Sequence, residues 1–508
     1  MNTHSNIIWK VAGVGLIISL VIMSCKKYLE VAPQALIEEE AIKNDPQAAE
    51  ALVTGVYNGL WNSGMHGFSY VGMTNIASDD ADKGSNATDN ADNVGTFDRL
   101  SMTPSVNALN DLWTGYFRGV VRANQALDKL PLSPAAEDVK KRLEGEVRFI
   151  RGLLYFDLVR FFGKLPKLDR VPATEEANSD KFQVRASVDS IYDFIISDLE
   201  FALANLPIKG APGTQVGRAT KGAAAGLLAK VFLYRQNYQR AFSLSDSIVT
   251  QKLGDYGLLD DYASIWRETG ANGRESLFEV QTGINANCDG AIGSYVVCQG
   301  PRAGGKGGWA DLGWGFGGPS QSLIDAYEPG DKRKAATVIF INPGGTVLWD
   351  GFRIPGKDSV ENLRYNYKAY HSRGAEKNCG KVDYLPKNLR ILRFGEIKLI
   401  HAEAALAIGN AGAAIKDISD LRIRAGFPTG VTSVTRETIW KERRVEMAME
   451  HDRFFDLVRQ NKIVPGRAAS EFAKDGKVFT ANKNEIFPIP QQQIDLSQGK
   501  MDQNEGYN

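Results

Sequence analysis

Paired amphipathic helices predict a mainly α-helical fold, and three features of the 508-residue sequence carry this prediction. Apolar residues recur at spacings of three and four along several long segments, which places them on one face of a helix. Short turns join these segments into pairs of about 34 residues, the period of tetratricopeptide repeats. A stretch rich in glycine and aromatic residues interrupts the pairs, so we expect an irregular, loop-rich region packed on a helical scaffold.

The clearest pairs occupy the first half of the chain. Asp45-Pro46 supplies a cap and a first-turn proline for the first long helix. Segments at 107–130, closed by Pro131, and at 143–162 form one predicted pair, and segments at 188–206 and 224–248 continue the array. Trp113 and Tyr116 share the apolar face of their helix, so we expect both in the core, with Asn124 as a buried hydrogen-bonding residue.

The stretch from Arg393 to Arg459 is predicted to hold the closing helices around a basic turn at 422–428. We expect residues 437–459 to form one continuous helix, since no glycine or proline interrupts them. Its charges are interpreted as structural, because Glu450/Arg453 and Asp456/Arg459 lie at i, i+3 spacing, where opposite charges support a helix.

Composition and net charge limit the possible partners. Hydrophobic residues make up 43% of the chain and charged residues 24%, which is typical of a folded globular protein, and the formal net charge is +0. Nucleic-acid binding normally leaves a basic footprint, so we exclude nucleic acid as a partner.

The N-terminus carries the pattern of a bacterial lipoprotein. Lys10 is the only charge in residues 1–24, and the apolar run from Val11 to Met23 is too short to span a bilayer, which takes about 20 residues. It suits a signal-peptide core, and small Ser24 before Cys25 predicts a lipidation site. A spare cysteine beside an ordinary cleavage site is the alternative. Lipidated Cys25 would hold the mature chain to a membrane that the protein does not cross.

Two loop-rich regions, at about 61–107 and 276–390, are the candidates for ligand binding. Asp and Asn are dense at 78–93, which suggests calcium, but the spacing does not fit an EF-hand loop, so we predict no metal and no cofactor. Glycines at 283–318 surround Tyr295, Trp309, Trp314 and Phe316. Exposed aromatic rings suit the apolar face of a sugar, while flanking polar groups suit its hydroxyls. The alternative is that these aromatic residues fasten the loop to the scaffold.

Other motifs give little support for catalysis. Gly313, Gly315 and Gly318 formally match G-x-G-x-x-G, but no strand precedes them as a dinucleotide site requires. G-x-S-x-G and H-E-x-x-H are absent, and the histidines are scattered. Export permits a disulfide among Cys288, Cys298 and Cys379. Cys288 and Cys298 could close a short loop, and the odd count leaves one cysteine over.

The C-terminal motifs resemble those of a known family. The run 437–459, with Glu442-Arg443-Arg444 and Asp452-Arg453-Phe454-Phe455-Asp456, is similar to the closing helix of the SusD/RagB family of Bacteroidetes surface lipoproteins. The segments Phe487-Pro488-Ile489-Pro490-Gln491 and Gln503-Asn504-Glu505-Gly506-Tyr507 resemble the same family.

This resemblance implies the rest of the prediction. It implies a right-handed superhelical scaffold of tetratricopeptide-like pairs at about 45–275 and 390–460 within a SusD-like domain of residues 25–508. It implies an outer-membrane, outward-facing lipoprotein that is not an enzyme. Such a protein binds an oligosaccharide and delivers it to a SusC-like TonB-dependent transporter. Loops near Phe68 and Asp80 would add ligand contacts. A peptide-binding RagB-like protein, a surface glycoside hydrolase and a purely structural helical adaptor are the alternatives.

Overall fold

A computed structural model of the protein describes residues 39–304 and 309–507. The predicted signal peptide and Cys25 lie outside these described residues. Long α-helices dominate the described chain, which confirms the predicted fold class, and short strands pair two by two.

The α-helices are α1 (Glu39–Asn44), α2 (Pro46–Asn58), α3 (Ser63–His66), α4 (Phe68–Val71), α5 (Val94–Asp98), α6 (Asn107–Lys129), α7 (Glu137–Phe162), α8 (Asp180–Gln183), α9 (Val188–Asn205), α10 (Lys221–Tyr234), α11 (Tyr238–Val249), α12 (Gln321–Ala326), α13 (Arg333–Thr337), α14 (Phe394–Ala407), α15 (Ala411–Arg424), α16 (Arg436–Glu446), α17 (Arg453–Ile463), α18 (Arg467–Lys474) and α19 (Gln491–Leu496). The strands are β1 (Ala81–Gly84), β2 (Leu165–Pro166), β3 (Arg185–Ala186), β4 (Ser276–Val280), β5 (Phe316–Pro319), β6 (Val338–Phe340), β7 (Thr346–Val347), β8 (Arg353–Ile354), β9 (Arg364–Asn366) and β10 (Leu389–Arg393).

The long helices pack as a consecutive array. Helix α6 packs on α7, α7 on α9, and the contacts continue through α10, α11, α14 and α15. The array therefore runs without interruption from α11 to α14, although residues 250–393 separate these helices in the sequence. This inserted region leaves the scaffold and returns to it at the antiparallel pair β4–β10, in which Val280 lies opposite Leu389.

Local signals in the sequence explain where the scaffold helices begin. The Asp45 carboxylate accepts a hydrogen bond from the Gln47 amide at 2.8 Å, and Pro46 occupies the first turn, as predicted. Ser187 and Thr220 cap α9 and α10 in the same way, each accepting a hydrogen bond from the backbone amide three residues on.

The core lies between the helical layers and is rich in aromatic side chains. Trp113 and Tyr116 of α6 are buried there, which confirms the prediction from their spacing. Asn124 is buried and donates a 2.8 Å hydrogen bond to the Leu168 carbonyl while accepting one from Arg151. The predicted structural role of Asn124 is thus confirmed.

The prediction of one helix over 437–459 is wrong. Helix α16 ends at Glu446, α17 begins at Arg453, and Met449 and His451 between them adopt positive φ values of 63° and 71°. Buried contacts compensate for this costly backbone conformation, since His451 hydrogen-bonds Thr74 at 2.7 Å and Tyr295 at 3.1 Å. Glu450 pairs with Arg393 at 2.6 Å instead of Arg453, whereas the predicted Asp456/Arg459 pair is present at 3.4 Å.

A second, smaller apolar cluster lies within the inserted region and is formed by Leu312, Ile339, Ile341, Leu348, Ile354, Val360, Tyr365 and Tyr370. The G-x-G-x-x-G match overlaps β5, which pairs with β1, and Ser320 then caps the short helix α12. This geometry lacks the strand, tight turn and helix of a dinucleotide site. Within residues 39–304 and 309–507, no helix combines the length and apolarity needed to cross a membrane.

Candidate functional site

The strand pair β1–β5 brings the two loop-rich regions together. Ala81 lies opposite Pro319 and Gly84 opposite Phe316, and the Ser85 amide donates a 2.7 Å hydrogen bond to the Gly315 carbonyl. Gly84 is required at this crossing because its φ is +67° and a Cβ there would lie 2.4 Å from the Gly315 oxygen. The pairing places residues that are more than two hundred positions apart in the sequence at one surface.

Three of the predicted ligand residues meet at this surface. The Phe68 ring lies 4.6 Å from Phe316 and 5.8 Å from Trp314, edge to face with the indole. Phe68 and Trp314 are partly exposed, whereas Phe316 is buried beneath them with the Lys83 ammonium 5.5 Å from its ring. The packing holds the two exposed rings in fixed orientations.

Two open cavities flank the aromatic cluster, and we call the cluster and both cavities the cleft. The first cavity has a volume of about 570 Å³ and is lined by Thr88, Asp89, Asn90, Arg302, Asp311, Gly313, Trp314 and Phe316. The second has a volume of about 540 Å³ and is lined by Asn62, Ser63, Gly64, Phe68, Ser69, Asn93, Asn110, Asp111, Thr114, Gly115, Arg118 and Ser294. Hydroxyl, amide, carboxylate and guanidinium groups surround the rings on both sides.

An ion pair organises the polar wall of the first cavity. Arg302 pairs with Asp89, and Ser85 donates a 2.9 Å hydrogen bond to the same carboxylate. The hydrogen bonds from Arg302 and Ser85 lower the pKa of Asp89 below its ordinary value, so the carboxylate is ionised at neutral pH. A charged acceptor and a charged donor are thus fixed beside Trp314.

The second cavity is lined mainly by neutral polar groups on α3, α4 and the first half of α6. Asp111 accepts a 3.2 Å hydrogen bond from Ser69, and Asn93 accepts one from the Ala108 amide at 3.0 Å. Arg118 is exposed at its edge. These groups offer donors and acceptors that are already held in place by the scaffold.

The other predicted ligand residues lie elsewhere. Tyr295 is buried and hydrogen-bonds His451, so its ring belongs to the core. Asp80 is also buried, and its carboxylate accepts a 2.8 Å hydrogen bond from Arg444. Trp309 is partly buried against the second apolar cluster and donates to the Ser359 carbonyl at 3.3 Å. Burial removes Tyr295 and Asp80 from the surface available to a ligand, and Trp309 lines neither cavity of the cleft.

Four charged residues that line the cleft were not predicted from the sequence: Arg302, Asp311, Asp111 and Arg118. Each is a single polar residue in a loop or on a helix face, and no spacing pattern distinguishes it from other surface residues. Asn90 and Asp89 belong to the Asp- and Asn-rich stretch that the sequence did single out. The density of Asp and Asn in that stretch was the sequence signal for these two residues.

The structure forms a different cysteine pair from the Cys288–Cys298 loop that the sequence would permit. Cys288 is bonded to Cys379, and Cys298 is a buried free thiol whose pKa is raised by burial. The Cys298 side chain points into the main core, where it is part of the apolar packing, so it cannot reach the exposed loop that holds Cys288.

A cavity larger than either cavity of the cleft lies away from the aromatic cluster. Its volume is about 940 Å³, and α12, α15, α16 and α18 contribute to its walls. Several charged residues of its lining are already paired, such as Arg453 with Asp79 at 2.7 Å. Trp440, its one aromatic lining residue, is 1% exposed, so this cavity offers no ring to a sugar.

The described residues show no metal centre. In residues 39–304 and 309–507, no group of three or more His, Cys, Asp or Glu side chains has metal-binding geometry. Burial lowers the pKa of His66 and His451, and His451 reaches about 3, so both imidazoles are neutral core residues.

Paired helices with a loop-rich region packed on them define a helical-scaffold protein of the SusD-like class. A model described as the SusD family matches residues 274–507, and a SusD-like model described as starch-binding associating with outer membrane matches residues 27–233. The chain belongs to the SusD/RagB family, as its C-terminal motifs indicated, and family membership makes it a non-catalytic protein.

Individual relatives support this assignment along the whole chain. SusD-like protein P2 of Formosa agariphila is 24% identical over 97% of this chain and 98% of its own length. The starch-binding protein SusD of Bacteroides thetaiotaomicron is 24% identical over 80% of each chain.

Solved structures agree with the fold. A laminarin-binding SusD-like protein is 28% identical, with a TM-score of 0.74 over 91% of this chain and 99% of its own. A SusD-like protein from Bacteroides fragilis is 26% identical, with a TM-score of 0.76 over 94% of this chain and 100% of its own.

Proposed function

We propose that the protein is a glycan-binding lipoprotein of the outer membrane and that the cleft around Trp314 holds an oligosaccharide. The observation that carries this proposal is the pair of partly exposed rings, Phe68 and Trp314, set between two polar cavities. Exposed aromatic rings held rigidly by a buried third ring are suited to a ligand with alternating apolar and polar faces.

The chemistry of a pyranose matches the chemistry of the cleft. Its C–H face stacks on an indole or phenyl ring, and its hydroxyl groups both donate and accept hydrogen bonds. Asp89 accepts, Arg302 donates, and Asn90 does both, all beside Trp314. Each ring contact contributes about 0.5–1.5 kcal/mol, so several sugar units are needed for useful affinity.

The similarity to a laminarin-binding SusD-like protein and to a starch-binding protein supports a glycan ligand. Membership in the family also supports a partner, a SusC-like TonB-dependent transporter that receives the ligand from this chain. In this proposal Cys25 carries the lipid that holds the protein at the outer surface of the outer membrane. Residues 1–24 are its signal peptide, and residues 25–508 form one SusD-like domain.

A binding screen tests the glycan proposal directly. The soluble chain from Lys26 onward is measured by affinity electrophoresis and calorimetry against laminarin, starch, other polysaccharides and a peptide panel. We expect binding to one glycan class and a loss of at least tenfold in affinity for the Phe68→Ala/Trp314→Ala variant.

A matched variant controls for loss of an exposed ring in general. Trp349 is 43% exposed, lies at the turn between β7 and β8, and lines neither cavity of the cleft. Trp349→Ala should bind as the wild type does. Binding of peptides alone would overturn the glycan proposal in favour of a RagB-like peptide carrier, and equal losses in both variants would overturn the assignment of the cleft.

A further inference from the structure

An exposed tyrosine lies next to the second cavity, on a segment of the loop-rich region 276–390. Tyr384 is 38% exposed and belongs to residues 377–384, which lie almost entirely at the surface between buried Glu376 and buried Leu385. Val382 of the same segment is also exposed, at 40%. An exposed aromatic ring beside a polar cavity is placed to stack on a ligand held there.

Tyr384 lies beside Gly293, next to the wall of the second cavity. A Cβ at Gly293 would lie 3.2 Å from Cε1 of Tyr384 and 3.5 Å from Cβ of Ser63. Ser63 and Ser294, the residue after Gly293, both line the second cavity with Phe68. The Tyr384 ring therefore lies at the edge of the cavity that has Phe68 in its wall.

Three covalent or polar links hold this segment against the cavity wall. Cys379 is bonded to Cys288. The Lys381 ammonium donates a 2.7 Å hydrogen bond to the Asn287 carbonyl, and the Ser294 amide donates a 2.8 Å hydrogen bond to the Asp383 carbonyl. All three links join residues 379–383 to the single stretch 287–294, which ends at the cavity.

We propose that Tyr384 is a further ligand-stacking residue and that the Cys288–Cys379 disulfide positions it. This inference rests on the proposed glycan function of the cleft. It gives the cleft a third exposed ring beyond Phe68 and Trp314, so the ligand is an extended oligosaccharide chain that reaches from the Trp314 cavity to Tyr384. Short sugars occupy only the Trp314 end and do not contact Tyr384.

The disulfide is needed because the segment has almost no core of its own. Residues 377–384 bury little apolar surface, and segments of this kind open locally at small free-energy cost. Cross-linking Cys379 to Cys288 restricts the open conformations and keeps the Tyr384 ring beside Gly293. A ring that is already in place costs the ligand less ordering entropy on binding.

Calorimetry with a series of oligosaccharides of increasing length, prepared from the glycan that the wild type binds, tests the inference. For Tyr384→Ala we expect about a tenfold loss of affinity for long oligosaccharides, which corresponds to one ring contact, and no change for the shortest ligand that binds. Tyr384→Phe keeps the ring and should retain wild-type affinity at every length.

The disulfide is tested by the Cys288→Ser/Cys379→Ser variant, which should show the same length-dependent loss. Adding Tyr384→Ala to that variant should lower the affinity little further, because both changes remove the same contact. Retained binding of the short ligand, with a cooperative thermal transition, shows that the fold is intact even though loss of the cross-link lowers the melting temperature.

The outcomes separate this inference from the proposed function. If the wild type binds no glycan, the proposed function fails. If the wild type binds and Trp314→Ala loses affinity while Tyr384→Ala matches the wild type at every length, the inference about Tyr384 is overturned and the proposed function stands. Wild-type binding by the cysteine variant would overturn the role of the disulfide alone.

Discussion

The guanidinium of Arg453 donates two hydrogen bonds to the carboxylate of Asp79, each 2.7 Å long, although 374 positions separate the residues in the sequence. Both side chains are buried, and Arg444 approaches the same carboxylate at 3.1 Å. The pair fastens the first residue of α17 to the loop that leads into β1. The closing helices and the candidate cleft are therefore held together by buried charge.

We predict that Arg453→Met lowers the free energy of unfolding by about 3–5 kcal/mol, because Asp79 is left as a buried charge with fewer partners. Chemical denaturation measures this loss. Arg274→Ala is the control, since Arg274 and Asp255 form an exposed pair at 2.8 Å and its loss should cost less than about 1 kcal/mol. Equal effects of the two substitutions would contradict the importance of burial.

Acid should destabilise the protein through His451. Burial lowers the pKa of this imidazole to about 3 in the folded state, against about 6.5 in an unfolded chain. Between these values the unfolded chain binds a proton that the folded chain does not, so the free energy of unfolding falls as the pH drops from 6.5 to 3.

His451→Asn isolates this contribution, because asparagine tolerates the positive φ and retains a polar side chain. We expect a shallower fall in melting temperature between pH 6.5 and 3 than in the wild type. An identical slope in both proteins would assign the acid sensitivity to other groups, such as buried Asp79, whose pKa is held low by Arg453 and Arg444.

Substitution of Trp309 and of Trp314 should differ in the effect on glycan affinity. Trp309→Ala removes a partly buried ring from the second apolar cluster, so we expect a loss of about 1–3 kcal/mol in the free energy of unfolding and unchanged glycan affinity. Trp314→Ala also removes a partly buried ring, here from the main core, so we expect a similar loss of stability together with weaker glycan binding. Denaturation and calorimetry on the same preparations measure both quantities, and a loss of affinity in Trp309→Ala would extend the cleft toward Ser359.

Gly84→Ala should damage the strand pair that assembles the cleft. A methyl group would meet the Gly315 oxygen at 2.4 Å in a backbone conformation of positive φ, so we expect a cost of about 1–3 kcal/mol and weaker glycan binding. Gly55→Ala, in helix α2 with no neighbour within 4 Å of the added carbon, should instead stabilise the protein by about 0.5–1 kcal/mol. Unchanged stability and binding in Gly84→Ala would show that β1 and β5 adjust freely.

Local sequence patterns were enough to predict most of the helices of the fold. The spacing of apolar residues identified the long helices, Asp45-Pro46 identified a start, and the aromatic face of α6 identified core residues. The break after Glu446 was not predictable, because neither glycine nor proline marks it. Contacts of His451 with Thr74 and Tyr295, which are distant in the sequence, compensate for that backbone conformation.

The candidate site was predictable only in part. Phe68, Trp314 and Phe316 do meet, but Tyr295 and Asp80 are buried. A glycine-rich neighbourhood does not tell which aromatic side chains face inward, so the burial of Tyr295 was not predictable. The burial of the Asp80 carboxylate was not predictable either, because its partner Arg444 comes from a helix near the other end of the chain. Predicting the Cys288–Cys379 bond would have required knowing how two exposed loops approach each other.

The antiparallel pair β4–β10 gives the inserted region an entrance and an exit that lie side by side, with Val280 opposite Leu389. Since α11 packs on α14 directly, the exposed loops within residues 281–388 can change in length and composition without altering how the helices stack, whereas buried residues such as Tyr295 and Cys298 belong to the core of the scaffold. The helices and these buried residues thus form a constant support, and the exposed loops form a replaceable recognition surface. Chains with the same helices could acquire new ligands by replacing these loops.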